Sequence, residues 1–215
     1  MRGPAPLQER IRVNAHSSVR LELAGKIVYV DPFSLTEESR DADLIFLTHD
    51  HFDHFSPADI ALVGKADTVF VLPESIVMKT ASVIGPRKTL TVNPGDRGEA
   101  EGIVFEAVPA YNPGKRFHPR ANNWVGYVLE AEGLRFYVAG DTDATPEAAA
   151  VRCDVALLPI GGTYTMDPEE AAALANQIRP QLVIPIHYGS VAGSPEDFSR
   201  FAAGVDEGIR VVRVI

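Results

Sequence analysis

Between positions 49 and 54 the chain reads His-Asp-His-Phe-Asp-His, which places three histidines and two carboxylates in six residues. Solvated turns are usually built from Gly, Asn, Asp and Ser, so a plain polar turn accounts poorly for this stretch. Upstream, Asp43-Leu44-Ile45-Phe46-Leu47 reads as a short buried strand. Downstream, Ser56 suits an N-cap, Pro57 the first helical position and Asp59 the positive helix end. The histidine segment therefore occupies the turn that leaves the carboxyl end of a strand. On an extended backbone alternate side chains share a face, so His49, His51 and Asp53 can converge, with His54 swinging in as the chain turns. Neutral imidazoles with a carboxylate suit Zn²⁺ or a similar first-row metal.

Two later turns follow the same plan. Asp141 comes directly after an apolar strand over 134–138, and His187 directly after another over 182–186. Alone, Gly140-Asp141-Thr142-Asp143 reads equally well as a solvated hairpin end, and a lone histidine is more often structural. Taken with the first cluster, the three turns form a set, because ligands gather at the carboxyl edge of open α/β sheets.

Hairpins are expected at 19–30 around Ala24-Gly25 and at 124–138 around Glu132-Gly133. Further strands are expected at 68–72, 89–92, 103–108, 154–159 and 209–215, with 93–102 a polar, turn-rich connection. Helices are expected from Pro57, from Pro73 to about residue 83, from Asp167-Pro168 to Arg179, and after Ser194-Pro195. The early half is rich in hairpins and the later half alternates strand and helix, which packed sheets with helices outside would satisfy. With 215 residues, 46% apolar and 23% charged, the whole chain 1–215 reads as one globular domain. No apolar run reaches the ~18 residues of a membrane span. Met1-Arg2-Gly3-Pro4-Ala5-Pro6 lacks the apolar segment of an export signal, and one cysteine, Cys153, fits a reducing compartment, so the cytoplasm is expected. A net charge of −9 argues against a nucleic-acid partner. An assembly of identical chains is compatible with all of this.

The motif His49-x-His51-x-Asp53-His54 after a strand resembles the signature of the metallo-β-lactamase-fold hydrolases, and the likeness extends over nearly the whole chain. The resemblance implies a four-layer αββα sandwich with two metal ions, most simply Zn²⁺ with Mn²⁺ or Fe²⁺ as alternatives, at one edge of the sheets. It implies that His49 and His51 bind one ion, that Asp53, His54 and His187 bind the other, and that Asp141 bridges them. His16-Ser17-Ser18 and Asp31-Pro32 resemble the ascorbate-6-phosphate lactonase-like branch. One departure stands out. The family has a further histidine on the first site in a Pro-Ala-Tyr-His-like context, and here Pro109-Ala110-Tyr111 is followed by Asn112. Either Asn112 ligates through its carbonyl, or His118 replaces the missing ligand. For His16 a role behind the ligands or on the pocket wall is expected.

The chemistry implied is metal-assisted hydrolysis. A divalent ion lowers the pKa of bound water from ~15.7 toward ~7, giving a metal-bound hydroxide at neutral pH. Asp53 or Asp141 is the carboxylate to take the proton. Lys115, Arg116, His118 and Arg120 crowd one loop, which suggests recognition of a small anionic ester, lactone or phosphodiester, or simply a basic surface. Two other readings remain at this point: a nuclease or phosphodiesterase of the same superfamily, and a non-catalytic metal-binding scaffold that lost its histidine at position 112.

Overall fold

The computed structural model describes residues 7–214. The segment 1–6, on which the export reading rests, and Ile215, the end of the expected last strand, lie outside the described residues. A six-stranded sheet runs in chain order: β1 (Ile11–Ala15), β2 (Ser18–Leu23), β3 (Lys26–Val30), β4 (Ala42–Phe46), β5 (Gly64–Pro73) and β6 (Thr89–Val92). A seven-stranded sheet follows, also in chain order: β7 (Arg97–Ala100), β8 (Ile103–Pro109), β9 (Val125–Ala131), β10 (Leu134–Val138), β11 (Val155–Pro159), β12 (Leu182–Ile186) and β13 (Arg210–Val211). Each sheet begins with antiparallel hairpins and ends with parallel strands.

Three apolar cores separate four layers. The central one joins the facing sides of the sheets, where Phe46 of β4 meets Phe105 of β8 and Tyr127 of β9 edge-on at 5.6 and 5.0 Å. A second packs β3–β5 against α1 (Pro57–Val63) and α2 (Val77–Ile84). A third packs β8–β12 against α3 (Pro146–Ala150), α4 (Pro168–Ile178) and α5 (Asp197–Gly204). Strand β11 and the Leu44–Phe46 part of β4, with helices on one side and a sheet on the other, are buried on both faces and read as unbroken apolar runs. The expected αββα sandwich is therefore the observed fold. No helix among the described residues is long and apolar enough to cross a membrane.

Local chemistry explains the element ends. Ser56 caps α1, accepting the Asp59 N–H, and Asp167 with Glu170 forms a reciprocal capping box on α4. Both expected hairpin turns take the left-handed conformation at each central residue, Ala24-Gly25 at φ 49° and 74° and Glu132-Gly133 at 53° and 77°. The structure differs from expectation in four elements. β1 and α3 are additional. The 93–102 connection contains β7, whose Arg-Gly-Glu-Ala sequence has little strand propensity and forms because β8 offers a free edge. There Gly98 lies under the Phe105 ring, so close that a Cβ would stand 2.6 Å from Cζ. The last strand is short, with only Arg210 and Val211 paired to β12.

The two sheets are tied together beside the first loop. Tyr127 Oη donates to the Leu47 carbonyl at 2.8 Å, and the Val125 N–H reaches the Thr48 carbonyl at 3.3 Å. Tyr127→Phe leaves a buried carbonyl unpaired at a cost of about 1–3 kcal/mol. We expect a fall in Tm of roughly 3–9 °C by calorimetry; an unchanged Tm would mean this bridge contributes nothing.

Candidate metal centre

Five loops deliver the site. The loop after β4 brings His49, His51, Asp53 and His54; the turn between β1 and β2 brings His16. The connection from β8 to β9 brings His118, and the ends of β10 and β12 bring Asp141 and His187. A backbone hydrogen bond from His187 N–H to the His16 carbonyl, 3.0 Å, joins the two sheets at this edge. His16 and His187 both take left-handed backbone (φ 52° and 58°), a conformation costly for residues other than glycine and often found at functional sites.

The donor atoms fall into overlapping groups. His49, His51 and His118 form one; His16, Asp53, His54 and His187 form another; His49, His54 and Asp141 lie between them, with ligand atoms in each group within 4.8 Å of one another. Around Asp141, His54 Nε2 stands 3.2 Å from Oδ1, and His118 and His187 Nε2 stand 3.2 and 3.1 Å from Oδ2. His16 Nε2 lies 3.2 Å from Asp53 Oδ2, with His54 and His187 each 3.8 Å from the same oxygen. Tetrahedral donors on bonds of ~2.1 Å stand about 3.4 Å apart, which is this spacing. Nε2 of His16, His49, His54, His118 and His187 and Oδ1 of Asp141 are all buried without a hydrogen-bond partner. Each such atom would cost about 1–3 kcal/mol if left so, and a divalent cation satisfies them together. The residues fit a metal.

Asp31 sets the ring orientations. Its buried carboxylate accepts the Thr48 N–H (2.8 Å), the Thr48 hydroxyl (2.6 Å) and His54 Nδ1–H (2.7 Å). Because the Thr48 hydroxyl proton points at Asp31, its oxygen is left to accept from His49 Nδ1 at 2.9 Å. Both histidines are thereby held with Nδ1 turned to these partners and Nε2 facing the cluster. Burial would lower the His54 pKa, but the Asp141 and Asp31 charges override it and hold it well above the ordinary value. Burial would raise Asp141, and the surrounding imidazoles, His187 first, hold it well below the usual carboxylate range. Trp124 backs the first group, its ring 4.9, 4.8 and 5.4 Å from those of His49, His51 and His118.

Several expected positions move. Asn112 donates Nδ2 to Asp143 at 2.9 Å and its backbone N–H to the His118 carbonyl at 2.9 Å. It pins the loop, and His118 joins His49 and His51. His16, expected behind the ligands or on the pocket wall, stands among the side chains of the second group that could hold an ion. Lys115 is turned away from an anion-reading role, its Nζ donating at 2.7 Å to both Asp143 and the Thr165 carbonyl. Arg120 stacks over Tyr111 and pairs with Glu147, lining a separate cavity. Arg116 is exposed and lines no part of the metal cavity. Asp31 and Trp124 were not singled out as site residues by sequence; only the Asp31-Pro32 strand end pointed to one of them.

A layered αββα fold with a His/Asp cluster at one sheet edge is the architecture of the metallo-β-lactamase superfamily. The chain belongs to the beta-lactamase superfamily domain family, whose model matches residues 10–187. A UPF0173 metal-dependent hydrolase of Thermoplasma acidophilum is 33% identical over 213 residues, covering 92% of this chain and 93% of that protein. A second, from Thermococcus kodakarensis, is 31% identical over 89% of this chain and 91% of its own length. A solved structure from Parabacteroides distasonis, described as a metal-dependent hydrolase, is 33% identical and superimposes with a TM-score of 0.77, covering 94% of this chain and 91% of that one.

Asp31→Asn keeps the shape but removes the charge that orients His54 and, through Thr48, His49. Loss of such a supporting partner typically costs 10–100-fold in metal affinity. A zinc titration of the variant is expected to show that loss; wild-type affinity would remove Asp31 from the site.

Proposed function

We propose that this hydrolase holds two Zn²⁺ ions and cleaves an ester, lactone or phosphodiester bond of a small molecule. The observation that carries the reading is the gathering of five buried imidazole nitrogens without hydrogen-bond partners, those of His16, His49, His54, His118 and His187, around Asp141 and Asp53, beside a cavity of about 310 Å³ that His118, Asp141 and His187 line. When bound, the divalent ions supply Lewis acidity and lower the pKa of water toward ~7. The chain's own residues do the rest. Asp141 stands between the two histidine groups, where its charge serves both. Asp53 and Asp141 both line the cavity, so either can take the proton from the attacking water. His51, His118 and His187 share that wall and fix where the reacting bond can sit. Among the described residues no serine or cysteine lines it, and Cys153 is elsewhere, its thiol pushed up to about 12 by burial and then by Asp154.

The likeness of His16-Ser17-Ser18 and Asp31-Pro32 to the lactonase-like branch favours a lactone within this class. A net charge of −9 favours a small molecule over nucleic acid. Any negative charge on the reacting group would find its counter-charge in the metal ions, because among the described residues no Lys or Arg lines the cavity.

Elemental analysis is expected to give two zinc ions per chain, and chelation to lower Tm by about 10 °C, as ligands present at ~1,000 times Kd do for a chain of this size. Asp141→Asn is expected to keep the fold and lose at least 100-fold in turnover across a panel of phosphodiester, lactone and thioester substrates. Metal-free protein whose Tm ignores added Zn²⁺, or an Asp141→Asn variant with wild-type turnover, would overturn the reading.

A further inference from the structure

Four large apolar side chains are exposed among the described residues: Phe52 at 68%, Met78 at 89%, Phe117 at 50% and Val191 at 38%. Scattered exposed apolar residues need no explanation, but Phe52, Phe117 and Val191 line one cavity, the one that contains Asp53, Asp141, His118 and His187. Tyr164 completes that rim. The rings are held in place. Phe117 meets Tyr164 edge-on at 5.1 Å, and Phe52 meets Phe33 edge-on at 6.2 Å. They are also tied to the ligands by the chain itself, since Phe52 sits between His51 and Asp53 and Phe117 directly precedes His118. The polar groups of the cavity are thus gathered at the metal-binding floor, and its mouth is aromatic and aliphatic. Among the described residues no lysine or arginine lines it: Lys115 is held by Asp143 and Thr165, and Arg116, beside Phe117, is exposed outside the lining. A charged tail would lose its hydration against these rings with no counter-charge to replace it.

We infer that the cavity takes the uncharged acyl, alkyl or aryl arm of a small ester or lactone, packed between Phe52 on one loop and the Phe117–Tyr164 pair on the others. This rests on the hydrolase reading of the metal centre and narrows it to substrates whose reacting end is polar and whose other end is apolar. It also reassigns specificity from the basic loop to the two phenylalanines.

Binding of linear hydroxamic acids, from acetohydroxamic to octanohydroxamic acid, to the zinc-loaded protein tests the inference by calorimetry without requiring turnover. The hydroxamate group chelates the metal and the chain enters the mouth. Kd is expected to fall about fourfold per added methylene until the cavity is filled. The double variant Phe52→Ser/Phe117→Ser, with zinc content checked, is expected to flatten the series to the affinity of the methyl member. A flat series in the wild type would overturn the inference. So would tighter binding of a hydroxamate ending in a carboxylate than of the alkyl one of equal length. A wild-type dimer that falls to monomer in the double variant would overturn it too, by making the rings a contact between two copies. Chain-dependent hydroxamate binding without turnover of any ester, lactone or phosphodiester would support the cavity assignment and overturn the reading of the reaction.

Discussion

The metal edge depends on one buried carboxylate. Asp31 directly follows β3, is itself in left-handed backbone, and receives hydrogen bonds from Thr48 and His54. Without those acceptors the residues leaving β4 would have a buried N–H, a buried hydroxyl and a buried imidazole with no fixed geometry. With them, the path of the chain from Thr48 to His54 is set before any ion arrives. Burial would raise the Asp31 pKa, and the neighbouring donors, His54 first, only partly offset it, so the carboxylate is expensive to keep in this place. That expense is characteristic of a group retained for geometry.

From that point the two sheets become interdependent. The first sheet supplies His49, His51, Asp53 and His54, and the turn between its first two strands supplies His16. The second supplies His118, Asp141 and His187. Tyr127 and Val125 of the second sheet hold the backbone of Leu47 and Thr48, while His16 of the first accepts from His187 of the second. Close packing within the second sheet beside these crossings leaves no slack: a Cβ on Gly126 would stand 2.3 Å from the Ala139 carbonyl, and one on Gly161 as near the His187 carbonyl. Ligand geometry and sheet packing are therefore one property of the molecule, and a change in either is felt in the other.

What could be read in advance was what is local. Strand ends, hairpin turns at Ala24-Gly25 and Glu132-Gly133, and helix caps at Ser56 and Asp167 are decided by a few neighbouring residues, so their pattern is visible in the chain. The same holds for ligands that follow apolar strands, because the strand end itself points them at the edge. His118 could not be separated from Asn112 in this way, since its position depends on a loop that doubles back until Asn112 meets the His118 carbonyl. Lys115 looked free because its partner, Asp143, is 28 positions away. β7 was hidden for a related reason: only the edge of β8 makes a strand of it. The aromatic mouth was invisible because Phe52, Phe117, Tyr164 and Val191 come from four separate loops.

Folding order is constrained as well. His16 and His187 meet across most of the length of the chain, and neither metal group is complete within one sheet. Closing such long loops is entropically unfavourable until the sheets have docked, so the centre assembles late. A nascent chain that has made only the first sheet presents His49, His51 and His54 to solvent without their counterparts and can hold an ion only weakly. A cation held by donors from both sheets would thus be captured only at the end of folding, as a lock that closes on the finished molecule and leaves its intermediates open.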